Sequence, residues 1–307
     1  MSPRRVSWVA DDVWGAMIVT GRALAAALVL CGLGAASCGT TGGADPGRDR
    51  VPAPAAAATA AQPTTGEATG VAPGAASESA PTPTAARKPL SGKIVVIDPG
   101  HNGQNYRHSA EINKQVDVLT QRKACDTTGT ATANGYSEAA FTWDVSQRLD
   151  KILKSRGAKV VLTRRDNNGV GPCITQRAAI GNKAKANAAI SVHADGASPA
   201  NHGFHVIIPK KIGGPVDPVV KDSEELGIDV RNALKRGTGL SYSTYIGKAA
   251  LDYRNDLGGL NLSTVPKIFV ECGNMKNPTE AAKFQQAAFR QRIALSLANG
   301  LQQYLTH

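Results

Sequence analysis

Between Gly39 and Pro89 the chain contains no Trp, Phe, Tyr, Leu, Ile, Met or Cys, and Ala, Pro, Thr and Gly dominate the interval. Such a stretch cannot bury enough apolar area to offset the entropy of ordering its backbone. Residues 39–89 therefore read as a disordered linker, and whatever folds must be built from residues 90–307. That remainder is long enough for one sizeable core. It shows no Gly-X-Y period, heptad array or long repeat, which excludes collagen, coiled-coil and solenoid architectures.

Ahead of the linker, Arg22 precedes an apolar run, Ala23 to Leu33, of signal-peptide length and too short to span a bilayer as an ordinary helix. Small residues 34–37 lead to Cys38, in a pattern that resembles a bacterial lipobox with Ala35 in place of the usual Leu. Residues 1–38 thus read as a signal peptide, and Cys38 as a candidate lipid anchor on the outer face of the membrane. Plain cleavage after the small residues is the alternative. Asp11 and Asp12 suit an n-region badly, which makes Met17 a candidate start. Either route exports the protein to the cell envelope or a periplasm-like space, where two of the three remaining cysteines should pair. Cys272 follows an apolar β-rich run and reads as a buried thiol, whereas Cys125 and Cys173 lie in polar loop sequence and are the expected disulfide. Closing that loop is worth about 4 kcal/mol on the chain-entropy account.

The leader has three Arg against two Asp and the linker four charges of each sign, so all but one of the +11 formal charges fall after Pro89. Such a surface favours polyanions. Nucleic acid is not among the expected partners, because no known module and no interleaving of basic and aromatic residues is present.

Lys93 to Ile97 is a β-branched run suited to a strand buried on both faces. Further strands are expected at Val160–Leu162, Ala189–His193, Phe204–Ile208 and Lys267–Glu271. Ser137 can cap a helix that carries Val145, Leu149, Ile152 and Leu153 and ends at Gly157. Others are expected at Ile174–Ala186 and Pro218–Lys235, and a last one starts at Asn277-Pro278 with Glu280 at its third position and runs through Leu301. Strands alternating with helices predict an α/β fold, a single-domain sandwich with a mostly parallel or mixed central sheet flanked by helices.

Ligands of open α/β sheets bind beyond the carboxyl ends of the strands. His101 follows the first strand, Glu138 opens a helix, His193 ends a strand and Glu271 ends another, so the topology sends all four to one sheet edge. Each has a plain alternative: a loop histidine bonded to backbone, a helix-dipole carboxylate, a structural ion pair for Glu271. Together, two imidazoles and a carboxylate suit a catalytic Zn²⁺ with a position left for water, and a further carboxylate suits proton transfer. Placement alone thus reaches a metal hydrolase.

The motifs Ile97-Asp98-Pro99-Gly100-His101-Asn102-Gly103, Ser137-Glu138, Arg177, Ala186-Asn187 leading into Ile190 to Asp195, and Val265-Pro266-Lys267 to Glu271 with Asn277-Pro278 beyond are more specific. In order and spacing this set resembles the zinc-dependent N-acetylmuramoyl-L-alanine amidases of the amidase-3 type. Arg254, Asp256, Leu257 and Leu260 also resemble the family's segment before its last strand. The resemblance implies that His101, Glu138 and His193 hold zinc and that Glu271 is the catalytic carboxylate. It also implies that residues 90–307 form the catalytic domain, which cleaves peptidoglycan or muropeptides between N-acetylmuramic acid and L-alanine, in cell-wall turnover or daughter-cell separation; a monomer is expected. A non-catalytic wall-binding or regulatory module of the same fold, and a zinc hydrolase of another amide, are the competing readings.

Arg177, His205 and Asn274 are the substrate-binding candidates, with a structural ion pair as the alternative for Arg177. Cys272-Gly273-Asn274-Met275 departs from the family's commoner Gly-Phe pairing. His202 and His205 read as groove-lining or structural, His108 as cleft-lining and His307 as a tail residue. Relatives that cover the zinc with a helical insertion place it between His193 and Glu271. That interval holds one helix here, which predicts an open cleft and activity without an activator.

Overall fold

The β-branched run near Lys93 becomes the strand from which the rest of the sheet is laid out. A computed structural model describes residues 87–307. The expected signal peptide, Cys38 and the linker up to residue 86 lie outside the described residues. The strands are β1 (Ile94–Pro99), β2 (Gln115–Asp117), β3 (Arg122–Ala124), β4 (Lys159–Leu162), β5 (Ala188–Asp195), β6 (His205–Pro209), β7 (Leu251–Arg254) and β8 (Lys267–Asn274). The helices are α1 (Ser109–Ile112), α2 (Glu138–Ser155), α3 (Ile174–Ala184), α4 (Val220–Thr238), α5 (Gly258–Asn261), α6 (Pro278–Phe284) and α7 (Ala287–Thr306).

Six strands form one sheet in the order β4-β1-β5-β8-β6-β7, while β2 and β3 pair as a separate hairpin. β4, β1, β5 and β8 run parallel; β6 is antiparallel to β8, and β7 is parallel to β6. The expected α/β sandwich with a mostly parallel sheet is therefore present.

Side chains alternate across the sheet, and the two faces differ. Val95, Ile97, Ile190, Val192, Ile268 and Val270 enter the main core, which α2, α4 and α7 complete with Leu149, Leu226, Val230 and Leu297. The opposite face starts apolar, with Val96, Ala189 and Val265. Further along the strands it turns polar: Asp98 follows Val96 on β1, Ser191 and His193 follow Ala189 on β5, and on β8 Lys267 and Glu271 flank Phe269 on this face.

Three elements differ from expectation. The polar loop after β1 contains the β2–β3 hairpin, and β7 extends the sheet where a loop was expected. The last helix is two helices, α6 and α7, broken at Gln285-Gln286. Asn277 does cap α6, accepting from Glu280 N at 3.1 Å. Glu280, however, does not fold back on the cap; its carboxylate accepts from the N–H groups of Gly203 (2.9 Å) and Asn274 (2.8 Å), which tie α6 to the sheet edge.

Asp98 is the buried charge at the centre of the polar face, 3% exposed. It accepts from Thr163 Oγ1 (2.6 Å), Arg177 Nη1 (2.8 Å), Ser191 Oγ (3.0 Å) and Lys267 Nζ (3.2 Å). Burial pushes its pKa up, but the charges of Lys267 and Arg177 outweigh burial and hold the carboxyl well below the usual carboxylate range. The folded pKa thus lies below the unfolded one, so this stabilisation is complete above about pH 4 and is lost as pH falls further. Asp98→Asn should cost about 3–5 kcal/mol at neutral pH, because it strands two buried cations. Urea unfolding across pH checks this: the gap between wild type and variant should narrow below about pH 4, and a gap that stayed constant would contradict it.

Candidate metal centre

β1 ends at Pro99, and Gly100 lets the chain pass directly against β5, since a Cβ there would collide with the His193 ring. His101 follows with φ 57°, in the left-handed region that non-glycine residues rarely adopt. Its carbonyl is held by Arg177 Nη2 at 2.9 Å. Glu138 is the first residue of α2, behind the Ser137 cap that accepts from Ala140 N. His193 lies near the end of β5.

The fold brings one ligand atom each from His101, Glu138 and His193 within 4.8 Å of one another. His101 Nε2 lies 3.3 Å from Glu138 Oε2, and His193 Nδ1 lies 2.9 Å from Glu138 Oε1. Backbone N–H groups of Thr130 (2.9 Å) and Ala194 (3.2 Å) also donate to the Glu138 carboxylate. The two imidazoles meet edge to face at 4.9 Å, and His193 stacks on Phe269 at 3.9 Å. Burial pushes Glu138 up, yet the neighbouring imidazoles outweigh it and hold the carboxyl well below its ordinary range. Burial pulls His101 down, but Glu138 and Asp126 prevail and push it up to about 10. For His193 burial wins and lowers the pKa. A buried carboxylate shared by two imidazoles is a donor set that fits a divalent metal ion.

Glu271 sits in register with His193 on one side and His205 on the other. It is half-buried, and its Oε2, which is shielded from solvent, has no hydrogen-bond partner among the described residues. Burial first, then the charges of Glu138 and Asp195, raise its pKa well above the ordinary value. All four residues line a cleft of about 300 Å³, walled by Ile174, Leu257 and Leu260. A larger concavity of about 530 Å³ lies at the other end of the strands, beside Lys93 and Asn187, away from this chemistry.

The three substrate-binding candidates each have neighbours within the chain, and Arg177 also lines the cleft. Arg177 is 3% exposed and fully committed, to Asp98 and to the carbonyls of Pro99, Pro172 and His101; it holds the metal-site loop from behind. Asn274 is fully buried and donates to the carbonyls of Ser198 and Asn201, which pins the loop after β5. His205 is buried on the Glu271 face, with an unpartnered Nδ1 and Tyr245 edge-on. His108 pairs with Glu111 at 3.4 Å rather than lining the cleft, and His307 pairs with Asp229. The side chains of Cys125 and Cys173 face each other with Cα atoms 4.8 Å apart, and Cys272 is a buried free thiol.

Three features had no sequence signal that gave their partners, although Arg254 and Asp256 belong to the segment that resembles the family's. Asp126 and Thr127 meet His101 from the loop beyond β3. Tyr245 donates to Asp195 Oδ2 at 2.9 Å. Asp256 joins Arg254 and Lys123, each at 2.7–2.8 Å, at the cleft rim. An acidic residue following a cysteine expected to be bridged was the nearest hint of the first.

Residues 95–303 match the N-acetylmuramoyl-L-alanine amidase family, amidase-3 type. An N-acetylmuramoyl-L-alanine amidase of Mycobacterium tuberculosis is 38% identical over 218 residues, which cover 70% of this chain and 88% of that protein. The crystal structure of the N-acetylmuramyl-L-alanine amidase of Mycobacterium smegmatis superposes with a TM-score of 0.67 at 38% identity, covering 70% of this chain and 98% of that one. That of Mycobacterium abscessus gives 0.65 at 40% identity, covering 70% and 100%. The sequence match runs from β1 into α7 and takes in His101, Glu138, His193 and Glu271; the chain belongs to the N-acetylmuramoyl-L-alanine amidases, enzymes that hydrolyse an amide of peptidoglycan.

Proposed function

We propose that the metal of this amidase is zinc, held by His101, Glu138 and His193, and that Glu271 is its catalytic carboxylate. The observation that carries the reading is the buried Glu138 carboxylate shared by two imidazoles, beside the Glu271 carboxylate, whose Oε2 has no partner among the described residues. Zinc bound there supplies Lewis-acid chemistry, polarising the scissile carbonyl and acidifying water. Glu271, whose pKa is raised by burial and neighbouring carboxylates, takes the proton of the attacking water and passes it to the leaving L-alanine nitrogen. The presence of all four residues argues against a non-catalytic module. Leu257 and Leu260 give the cleft an apolar wall.

The cleft is open by this reading. α4 packs on α7 and β6, and its Leu226, Val230 and Leu234 enter the core on the sheet face away from Glu271. It is an outer-layer helix and not a cover.

We read residues 1–38 as an export signal with Cys38 as a candidate lipid anchor, residues 39–89 as a tether and residues 90–307 as the catalytic domain. The exported enzyme acts as a monomer on the wall during turnover or daughter-cell separation. A flexible tether of n residues gives the domain a reach of roughly 5–6 Å × √n.

Digestion of purified peptidoglycan with mass analysis should release free stem peptides beginning at L-alanine, without any added protein. Acetate release from intact strands, or no release until a second protein is supplied, would overturn the amide assignment or the open cleft respectively. His101→Ala, His193→Ala and Glu138→Ala should lose zinc. Glu271→Ala should retain zinc and the fold yet lose about 10²–10⁴-fold in kcat. Zinc lost from Glu271→Ala but kept by Glu138→Ala would exchange the two roles.

Cys125 and Cys173 should be linked in protein recovered from the exported fraction. Peptide mapping without reductant checks it; two free thiols, or a bridge through Cys272, would refute the pairing.

A further inference from the structure

His101 is oriented differently from His193. His193 is fixed by stacking on Phe269 and turns Nδ1 towards Glu138. His101 turns Nε2 towards Glu138, and its Nδ1 meets two acceptors, Asp126 Oδ1 at 3.0 Å and the Thr127 carbonyl at 3.1 Å. A ring nitrogen facing a carboxylate and a carbonyl must carry the hydrogen. Nε2, which faces Glu138 at 3.3 Å, is then the nitrogen at which a metal ion would take the place of a proton.

We infer that Asp126 is a positioning residue for metal binding: it fixes the tautomer and rotation of His101 and presents Nε2 to the ion. The inference rests on the reading of His101 as a metal ligand. Asp126 is suited to the task because it is buried and itself held. Thr127 N–H donates to Oδ1 at 2.8 Å, and Arg177 Nη2 stands 3.6 Å from Oδ2, which has no hydrogen bond among the described residues. The loop does not depend on this side chain for its path. Cys125 N–H donates to Lys114 O, Asp126 N–H to Ile112 O and Ile174 N–H to Cys125 O, all backbone bonds of 2.8–3.0 Å. The best-formed link from the Asp126 carboxylate to another part of the chain is the one to His101. Acceptors behind a ligating histidine typically change metal affinity by about 10–100-fold when removed.

The test is zinc affinity of the full chain by chelator competition, read beside the melting temperature of the zinc-free protein. Asp126→Leu keeps the shape and removes the acceptor, and should bind zinc about 10–100-fold more weakly. Asp126→Asn keeps an oxygen where Thr127 N–H holds it, and should recover most of that loss. Both should melt close to wild type without zinc; if the Leu variant does not fold, Asp126→Ala takes its place. Wild-type affinity in the Leu variant, equal loss in Leu and Asn, or a loss matched by the zinc-free melting temperature would overturn the inference. His101→Ala in the same titration separates the two levels. Wild-type zinc affinity there would remove the metal reading itself, whereas its loss there with none in Asp126→Leu would remove only the role of Asp126.

Discussion

A single buried carboxylate, Asp98, organises the polar face of the sheet. It draws Lys267 from β8 and Arg177 from α3 into the interior, and Arg177 reaches on to the carbonyls of Pro99 and His101. Without a counter-charge of this kind the guanidinium would not lie 3% exposed beneath a metal site. The turn at His101, with its left-handed backbone, therefore rests on charges placed by β1, α3 and β8 together. Strain at such a position persists where the surroundings over-determine it.

Above this layer two carboxylates that line the cleft have opposite environments. Glu138 lies between imidazoles and backbone N–H groups that favour its charged form. Glu271, in register with His193, has burial and like charges around it and holds a proton more readily. Environments that push neighbouring carboxyls apart assign one to hold charge and the other to carry protons. The fold produces the contrast by placement: Glu271 belongs to the central strand β8, Glu138 to a helix start.

The strands and the convergence of His101, Glu138, His193 and Glu271 were legible in the sequence, because β-branched runs mark central strands and strand ends fix one edge. The partners of polar side chains were not legible. Arg177 and Asn274 resemble groove residues until their partners are known, and those partners, Asp98 and the Ser198 and Asn201 carbonyls, come from distant segments. Asp126 was illegible for the same reason, since nothing periodic places a loop carboxylate behind a ligand. The α6–α7 break and β7 were missed because helical spacing of apolar residues survives a two-residue interruption, and Leu251 to Arg254 offers too few residues to show alternation.

The central claim is that two imidazoles and Glu138 hold the metal while Glu271 stands outside the ligand set. Anomalous diffraction at the zinc edge from crystals grown with zinc tests it most directly. A single peak should lie about 2.0–2.2 Å from His101 Nε2, His193 Nδ1 and a Glu138 oxygen, with Glu271 beyond bonding distance; a peak bonded to Glu271, or none among these residues, would contradict the account.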